Sequence, residues 1–354
     1  MSFNDFSFHQ KISAGIKACG YQTPTPIQKK AIGPVLAGRD LMGLAQTGTG
    51  KTAAFALPTL EKLVNGPRRK IRALIIAPTR ELAEQINDNF KKLGRQTGLR
   101  SVSVYGGVSK FGQIKAFRSG VEIVVACPGR LLDHLDSGDI NLSNVETLIL
   151  DEADMMFDMG FLPTIKRIIK RLPKNRQNLL FSATMPNEIR GLAVQILNDP
   201  EVVQIDHSRP VDSVSHTLYR VEKKHKSHLL KKIIHEDAPA SILIFTRTKY
   251  GAKNLAARLS KDGHRATSIQ GNLSQNKRQQ ALDGFKSGKF NIMVATDIAA
   301  RGIDVSGISH VINFDTPATV EAYTHRIGRT GRADQTGAAV TFADREEMRI
   351  VRGI

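Results

Sequence analysis

The chain is expected to be α/β, two tandem domains that are each a mostly parallel sheet flanked by helices, joined by a short flexible linker. Three observations predict this. Its 354 residues exceed the roughly 250 to 300 at which a single hydrophobic core stops growing. Short apolar runs rich in β-branched residues alternate with amphipathic helical patterns throughout, as βα units with both sheet faces buried require. The second half also echoes the first. Leu74-Ile75-Ile76-Ala77-Pro78-Thr79-Arg80 and Ile242-Leu243-Ile244-Phe245-Thr246-Arg247-Thr248 each end a buried strand with Thr and Arg, then enter a helical pattern.

In chain order, the apolar runs predict strands at Asp40 to Leu44, Ala73 to Ala77, Ser101 to Tyr105, Ile123 to Ala126, Thr147 to Leu150 and Asn178 to Phe181. The second half offers Ile242 to Phe245, Ala266 to Ile269, Ile292 to Ala295, His310 to Phe314 and Ala338 to Phe342. Between them, 206–215 (D-H-S-R-P-V-D-S-V-S) is polar, lacks helical periodicity and contains Pro210, so the linker is expected there. The expected divisions are a leading segment 1–30, a first domain 31–205 and a second domain 216–354. The basic stretch Lys223 to Lys232 lies on an amphipathic pattern and reads as a solvated helix face.

Composition narrows the function classes. Hydrophobic residues are 41% and charged residues 24% of the chain, and no apolar run approaches the roughly 18 residues of a membrane-spanning helix. The first twenty residues have no continuous apolar region of the secretory kind. Cys19 and Cys127 are the two cysteines, which excludes a disulfide framework and points to a reducing cytoplasm. The net charge of +18 favours a polyanionic partner, nucleic acid ahead of a membrane surface, because neutralising phosphates releases counterions. The excess is shared, with 27 basic against 18 acidic residues in 1–205 and 24 against 15 in 206–354.

The sharpest local signal is Ala45-Gln46-Thr47-Gly48-Thr49-Gly50-Lys51-Thr52, leaving a predicted strand and entering a helical segment. Glycines let backbone N–H groups close around phosphate oxygens, the helix N-terminus adds a favourable dipole, Lys51 can reach the β/γ-phosphates, and Thr52 offers its hydroxyl to Mg²⁺. This is a Walker A loop in which Ala45 replaces the first Gly. Such a loop needs an acid at a neighbouring strand end. Thr147 to Leu150 is followed by Asp151-Glu152-Ala153-Asp154, three carboxylates in four residues that repel unless a cation sits among them. Asp151 is expected to face Mg²⁺ through water, and Glu152 to orient or deprotonate the attacking water.

Asp151 to Asp154 spells D-E-A-D, and the other blocks stand in a matching order, so the chain resembles a DEAD-box ATP-dependent RNA helicase of superfamily 2, in the bacterial RhlE-like group. The resemblance runs from Phe3 to about Phe342 and implies RecA-like domains. Gly20-Tyr21-Gln22-Thr23-Pro24-Thr25-Pro26-Ile27-Gln28 resembles the adenine-reading Q motif, which implies that Gln28 pairs with the base and Tyr21 stacks on it, with Phe3 packed behind. Pro78-Thr79-Arg80-Glu81-Leu82-Ala83, Gly106-Gly107 and Cys127-Pro128-Gly129-Arg130 resemble the RNA-backbone motifs, which assigns RNA contact to Pro78, Thr79, Arg80, Gly107, Pro128, Gly129 and Arg130. The family usually has Thr where Cys127 stands, and a thiol is the poorer hydrogen-bond donor. Ser182-Ala183-Thr184 resembles the motif linking the nucleotide site to the interdomain cleft, which gives Ser182 and Thr184 catalytic roles beside Asp154.

In the second half the resemblance implies RNA contact by Arg247, Gln275, Arg278, Thr296 and Asp297, and nucleotide contact by Gly302 and Asp304. His325-Arg326-Ile327-Gly328-Arg329-Thr330-Gly331-Arg332 resembles the arginine-finger motif, which implies that Arg329 and Arg332 reach the γ-phosphate while His325 and Arg326 tie the cleft to the acidic cluster. The implied cofactors are ATP and Mg²⁺. The implied partner is RNA, held mainly through its backbone with little sequence preference, with ribonucleoprotein or RNA-decay proteins as further partners and no membrane. The implied activity is RNA-stimulated ATP hydrolysis that drives local duplex unwinding or ribonucleoprotein remodelling. Two other classes fit the motifs: an ATP-gated RNA clamp that does not unwind, and a superfamily 2 ATPase acting on DNA.

Overall fold

The computed structural model describes residues 2–46, 48–205, 214–237, 239–300, 305, 307–331 and 336–352, without the side chains of Ile298 and Glu321. It separates into two units, Met1–Asp206 and His207–Ile354. In the first, α1 (Gln10–Ala18) and α2 (Pro26–Leu36) precede β1 (Leu41–Leu44), α3 (Lys51–Val64), β2 (Ala73–Ile76), α4 (Arg80–Leu93) and β3 (Ser101–Val104). There follow α5 (Lys110–Ser119), β4 (Ile123–Ala126), α6 (Pro128–Asp136), β5 (Thr147–Leu150), α7 (Ala153–Asp158), α8 (Leu162–Ile169), β6 (Gln177–Ser182), α9 (Asn187–Ile196) and β7 (Glu201–Gln204).

All strands of this unit run parallel in the order β3-β4-β2-β5-β6-β1-β7. Successive residues of each strand enter opposite cores, as the two-residue period demands. Ala73 and Ile75 of β2 join Ile149, Leu179 and Phe181 under α1 to α4. Leu74 and Ile76 face the other way, with Val124, Leu148, Leu150 and Leu180 under α6, α8 and α9. Burying a Leu or Ile fully contributes about 1.5 to 3 kcal/mol, so the continuous apolar runs are what fix these strands at the centre.

The second unit contains β8 (Val214–Arg220), α10 (Lys226–Asp237), β9 (Ile242–Phe245), α11 (Lys249–Lys261), β10 (Ala266–Ile269), α12 (Gln275–Lys286) and β11 (Ile292–Ala295). After these come α13 (Asp297–Ala300), β12 (His310–Asn313), α14 (Val320–Ile327), β13 (Gly337–Ala343) and α15 (Met348–Val351). Its sheet is also parallel, ordered β10-β11-β9-β12-β13-β8. Ile242 and Ile244 pack under α10 and α11, while Leu243 and Phe245 pack on the opposite face.

The eleven expected strands are all present, with ends shifted by no more than one residue. Asp40 lies just outside β1, and its buried carboxylate accepts from the Asn178 amide N–H (2.7 Å), Asn178 Nδ2 (3.2 Å) and the Asn198 N–H (2.8 Å). Two strands were not expected. β7 is a short sheet edge, and β8 is an edge whose residues after Val214 are exposed. The linker expected at 206–215 therefore gives up Val214 and Ser215 to β8, while 206–213 lies outside the described residues. The internal echo extends to capping, since Thr79 accepts from the Leu82 N–H at the start of α4 and Thr248 from the Gly251 N–H at the start of α11.

Candidate active site

In a parallel sheet, ligands meet the carboxyl ends of the strands. The order β5-β6-β1 therefore sets three sequence motifs side by side: the acidic cluster after β5, Ser182-Ala183-Thr184 at the end of β6 and the Walker A loop after β1. The Ala45 N–H donates to the Ser182 carbonyl (3.0 Å), which ties the loop to its neighbour.

Gly48 and Gly50 have φ of +88° and +94°, a region that only glycine enters cheaply. This turn aims the open first turn of α3, where Lys51 and Thr52 sit, into the loop. Thr49 Oγ1 donates to the Gln46 carbonyl (2.7 Å), and Lys51 Nζ, which is buried, donates to the Ala45 carbonyl (2.8 Å). The lysine thus lies folded back on its own loop, with one of its three ammonium donors engaged there. Gln28 is buried beside it. Its Oε1 accepts from the Thr25 N–H (2.9 Å) as part of the α2 capping box, and its Nε2 donates to the Gly50 carbonyl (3.1 Å). Phe3 stacks on Tyr21 with centroids 5.9 Å apart and planes at 28°. Thr47 lies outside the described residues.

Asp151 ends β5, its N–H donating to the Ile76 carbonyl (3.0 Å). Glu152 follows with φ 52° and ψ 54°, a left-handed conformation costing roughly 1 to 2 kcal/mol in a non-glycine residue. Both carboxylates are buried. Burial pushes the Asp151 carboxyl up to about 7, Lys51 opposes that shift, and Glu152 adds to it. Such a group regains its charge beside a cation, so the donor set fits Mg²⁺. Among the described residues, no three His, Cys, Asp or Glu side chains converge as a metal cage. Asp154 is bound to the neighbouring strand end. Its Oδ2 accepts from the Ala183 N–H (3.2 Å), the Thr184 N–H (2.9 Å) and Thr184 Oγ1 (3.0 Å), while the Asp154 N–H donates to Ser182 Oγ (3.1 Å).

The other half of the sheet, β3-β4-β2, carries the remaining motifs of this unit. Arg80 opens α4 directly against Gly107, where φ is +81° and an added Cβ would fall 2.2 Å from the Arg80 guanidinium. Pro128 and Gly129 begin α6. Both terminal nitrogens of Arg130 donate to the Val108 carbonyl (3.1 Å each), and Nη1 also reaches Gln113 Oε1 (3.3 Å). Gln113 Nε2 donates to the Tyr105 carbonyl (3.0 Å), and its Oε1 is 2.8 Å from Nε2 of the fully buried His134, whose Nδ1 is 2.9 Å from Asp139. Gln113 and His134 were not anticipated, because nothing local in the sequence marks residues 21 apart as partners. Cys127 occupies the N-cap of α6 without a side-chain cap bond, and burial, reinforced by Glu81, pushes its thiol up to about 12.

The second unit divides in the same way, with RNA-type motifs around β10-β11-β9 and the basic turn after β12. Arg326 and Asp297, from two different motifs, meet each other. Arg326 is buried over the Phe245 ring (5.0 Å) and grips Asp297 with Nε and Nη2 (2.5 and 2.8 Å), while Nη1 donates to Asn313 Oδ1 (3.0 Å) and the Asp315 carbonyl (2.7 Å). These donors are engaged inside the unit, so Arg326 ties α14 to Asp297 and to the end of β12. His325 lies one residue earlier, and its carbonyl accepts from Arg329 Nε (3.3 Å) in the turn after α14. Arg247 donates its N–H to Asp315 (2.7 Å) and Nη2 to Glu347 (2.7 Å). Gln275 opens α12, with Arg278 in the same turn, and the Thr296 carbonyl receives the Ala300 N–H (2.9 Å). Gly302, Asp304 and Arg332 lie outside the described residues.

Comparison with known proteins gives a consistent result. The DEAD/DEAH box helicase family model matches residues 25–192, and the helicase conserved C-terminal domain model matches residues 225–334. The chain is 43% identical over 351 residues to the ATP-dependent RNA helicase CshA of Listeria monocytogenes, covering 99% of this chain and 67% of that protein. It is 43% identical over 348 residues to the DEAD-box ATP-dependent RNA helicase CshA of Geobacillus kaustophilus, covering 98% and 74%. Among solved structures, S. cerevisiae Dbp5 bound to RNA and ADP BeF3 is similar with a TM-score of 0.90 and 30% identity, covering 99% of this chain and 92% of that one. Mss116p bound to ssRNA and AMP-PNP gives 0.87 and 30%, covering 99% and 75%.

Proposed function

This chain belongs to the DEAD-box helicase family, and from that premise we propose that it is an ATP-dependent RNA helicase in which RNA-stimulated ATP hydrolysis drives local separation of short RNA duplexes. The observation that carries this is the sheet order of the first unit, which puts the phosphate loop, the acid cluster and Ser182-Ala183-Thr184 on three adjacent strands and the RNA-type motifs on the next three.

Lys51 turns its remaining ammonium donors to the β/γ-phosphates, and the first-turn N–H groups of α3 receive phosphate oxygens. Gln28 exchanges its bonds to Thr25 and Gly50 for the adenine edge, beside Tyr21. Bound Mg²⁺, held by Thr52 and Asp151, supplies charge neutralisation for the transferring phosphoryl group. Glu152, fixed by its left-handed backbone, orients the attacking water and takes its proton. Arg329 and Arg332 supply positive charge to the γ-phosphate, a role worth about 10³ to 10⁵ in rate where it has been measured. Thr79, Arg80, Gly107 and Arg130 in one unit, and Arg247, Gln275 and Arg278 in the other, hold RNA through its backbone, so sequence preference is weak.

The experiment is ATP turnover with saturating single-stranded RNA. Lys51→Ala and Glu152→Gln each abolish the RNA-stimulated rate, and Glu152→Gln retains nucleotide binding. Wild-type turnover in either variant would overturn the role of the residue replaced. Release of a short labelled strand, measured in parallel, separates a helicase from an RNA clamp.

A further inference from the structure

A cavity of about 550 Å³ whose lining includes no residue of the family motifs opens in the second unit, lined by Arg220, Glu222, Asp344, Arg345, Arg349 and Arg352. It lies where β8 and β13 finish, since Arg220 pairs with Ala343 at the last position of that ladder. That is the carboxyl edge of the sheet, the same edge from which Arg247 leaves β9.

Among the described residues, none of the four guanidiniums has a hydrogen bond or ion pair. The two carboxylates in the lining are already engaged. Glu222 pairs with Lys224 (3.0 Å), and Asp344 Oδ1 accepts from the Glu346 and Glu347 N–H groups (3.0 and 2.9 Å). Four arginines around one cavity repel one another, and a polyanion relieves that cost. Their planar forks suit phosphate in particular. Glu347 ties this segment to Arg247. It accepts from Arg247 Nη2 (2.7 Å), Lys226 Nζ (2.9 Å) and the Asp344 N–H (3.2 Å), so Arg345, Arg349 and Arg352 sit on a segment anchored to an RNA-motif arginine.

We propose that this cavity is an accessory RNA site that takes backbone phosphates of the strand held at Arg247, beyond the length the family motifs cover. This rests on Arg247 facing RNA, as proposed above. A single strand bound through each additional phosphate steepens the salt dependence of affinity by about 0.7 in log–log slope. Losing three such contacts flattens it by about 2, a difference of about 16-fold in affinity change between 50 and 200 mM salt.

The test uses the full chain with single-stranded RNAs of about 8 and about 24 nucleotides. The triple variant Arg345→Gln, Arg349→Gln, Arg352→Gln should bind the longer RNA with a slope flatter by about 2 and bind the shorter one like wild type. The corresponding triple Lys variant should restore the slope, and Arg349→Gln alone should flatten it by about 0.7. An unchanged slope on the longer RNA, or equal losses on both lengths, overturns the proposal. Tripolyphosphate binding that disappears in the triple Gln variant while the longer RNA keeps its slope also overturns it, in favour of a free polyphosphate ligand. If the shorter RNA fails to stimulate wild-type ATP turnover, the helicase assignment fails instead.

Discussion

Replacing Asp154 by Asn tests whether the acidic cluster and Ser182-Ala183-Thr184 act as one unit. The carboxylate accepts at both oxygens: Oδ2 from the Ala183 N–H, the Thr184 N–H and Thr184 Oγ1, and Oδ1 from the Met155 N–H (3.0 Å). An amide presents oxygen to one side only. With oxygen toward Thr184, the buried Met155 N–H faces an NH₂ group and loses its partner, at about 1 to 3 kcal/mol. The three remaining bonds lose their ionic character and about half their strength. Removing one of three crowded carboxylates recovers part of this, leaving a net destabilisation of about 2 to 3 kcal/mol. For a unit of this size that lowers the melting temperature by about 4 to 12 °C. Thr184→Val deletes the Oγ1 bond alone, so thermal unfolding of the two single variants and the double variant closes a cycle, with an expected coupling of about 1 kcal/mol. RNA-stimulated turnover should fall in both single variants, while unstimulated nucleotide binding persists. Additive stabilities with full RNA stimulation in Asp154→Asn would refute the link.

Other outcomes follow from the same geometry. Cys127→Thr places a hydroxyl at an N-cap whose backbone is already extended, so it should stabilise the chain by about 1 kcal/mol and tighten RNA binding; unchanged melting and RNA affinity would show that the cap is not limiting. Arg326→Lys keeps the charge but not the bidentate grip on Asp297, and losing charged hydrogen bonds of this kind costs about 1.5 to 3 kcal/mol; thermal unfolding should show the loss, and a variant with wild-type stability but no turnover would make Arg326 catalytic rather than positioning. Burial alone would raise the Glu347 carboxyl, but bonds from Lys226 and Asp344 outweigh it and hold the group below the usual carboxylate range. Its folded value being depressed, its contribution is complete above the unfolded value and disappears as pH falls through the folded one. Glu347→Gln should therefore lower stability at neutral pH and weaken acid sensitivity below about pH 4.5, measured by denaturant unfolding against pH.

What could be read from the sequence was whatever depends on a contiguous pattern. Ile75, Ile149 and Ile244 sit in apolar runs buried on both faces, so their strands were legible. β7 (E-V-V-Q) and β8 (V-S-H-T-L-Y-R) pair at sheet edges with little apolar surface to bury, so their composition resembles a linker. Lys51, Asp151 and Glu152 were legible because a phosphate loop and its acid partner carry characteristic residue types. Their state was not. Lys51 on the Ala45 carbonyl, Gln28 on Gly50 and the left-handed Glu152 depend on how three strand ends meet. Arg326 shows the limit most clearly: its motif suggested a tie between the cleft and the acidic cluster, while its ion pair with Asp297, 29 residues away in another motif, depends on how the strand ends of the second unit meet. Gln113 and His134, which hold Arg130 in place, belong to no motif.

ATP turnover measured with saturating single-stranded RNA, with the same sequence as DNA, and without polymer probes the coupling of the two halves of each sheet most directly. If the proposed RNA helicase reading holds, turnover should rise with RNA but not with DNA, and return to the polymer-free rate in Glu152→Gln. Equal stimulation by DNA, or a rate indifferent to any polymer, would contradict that coupling.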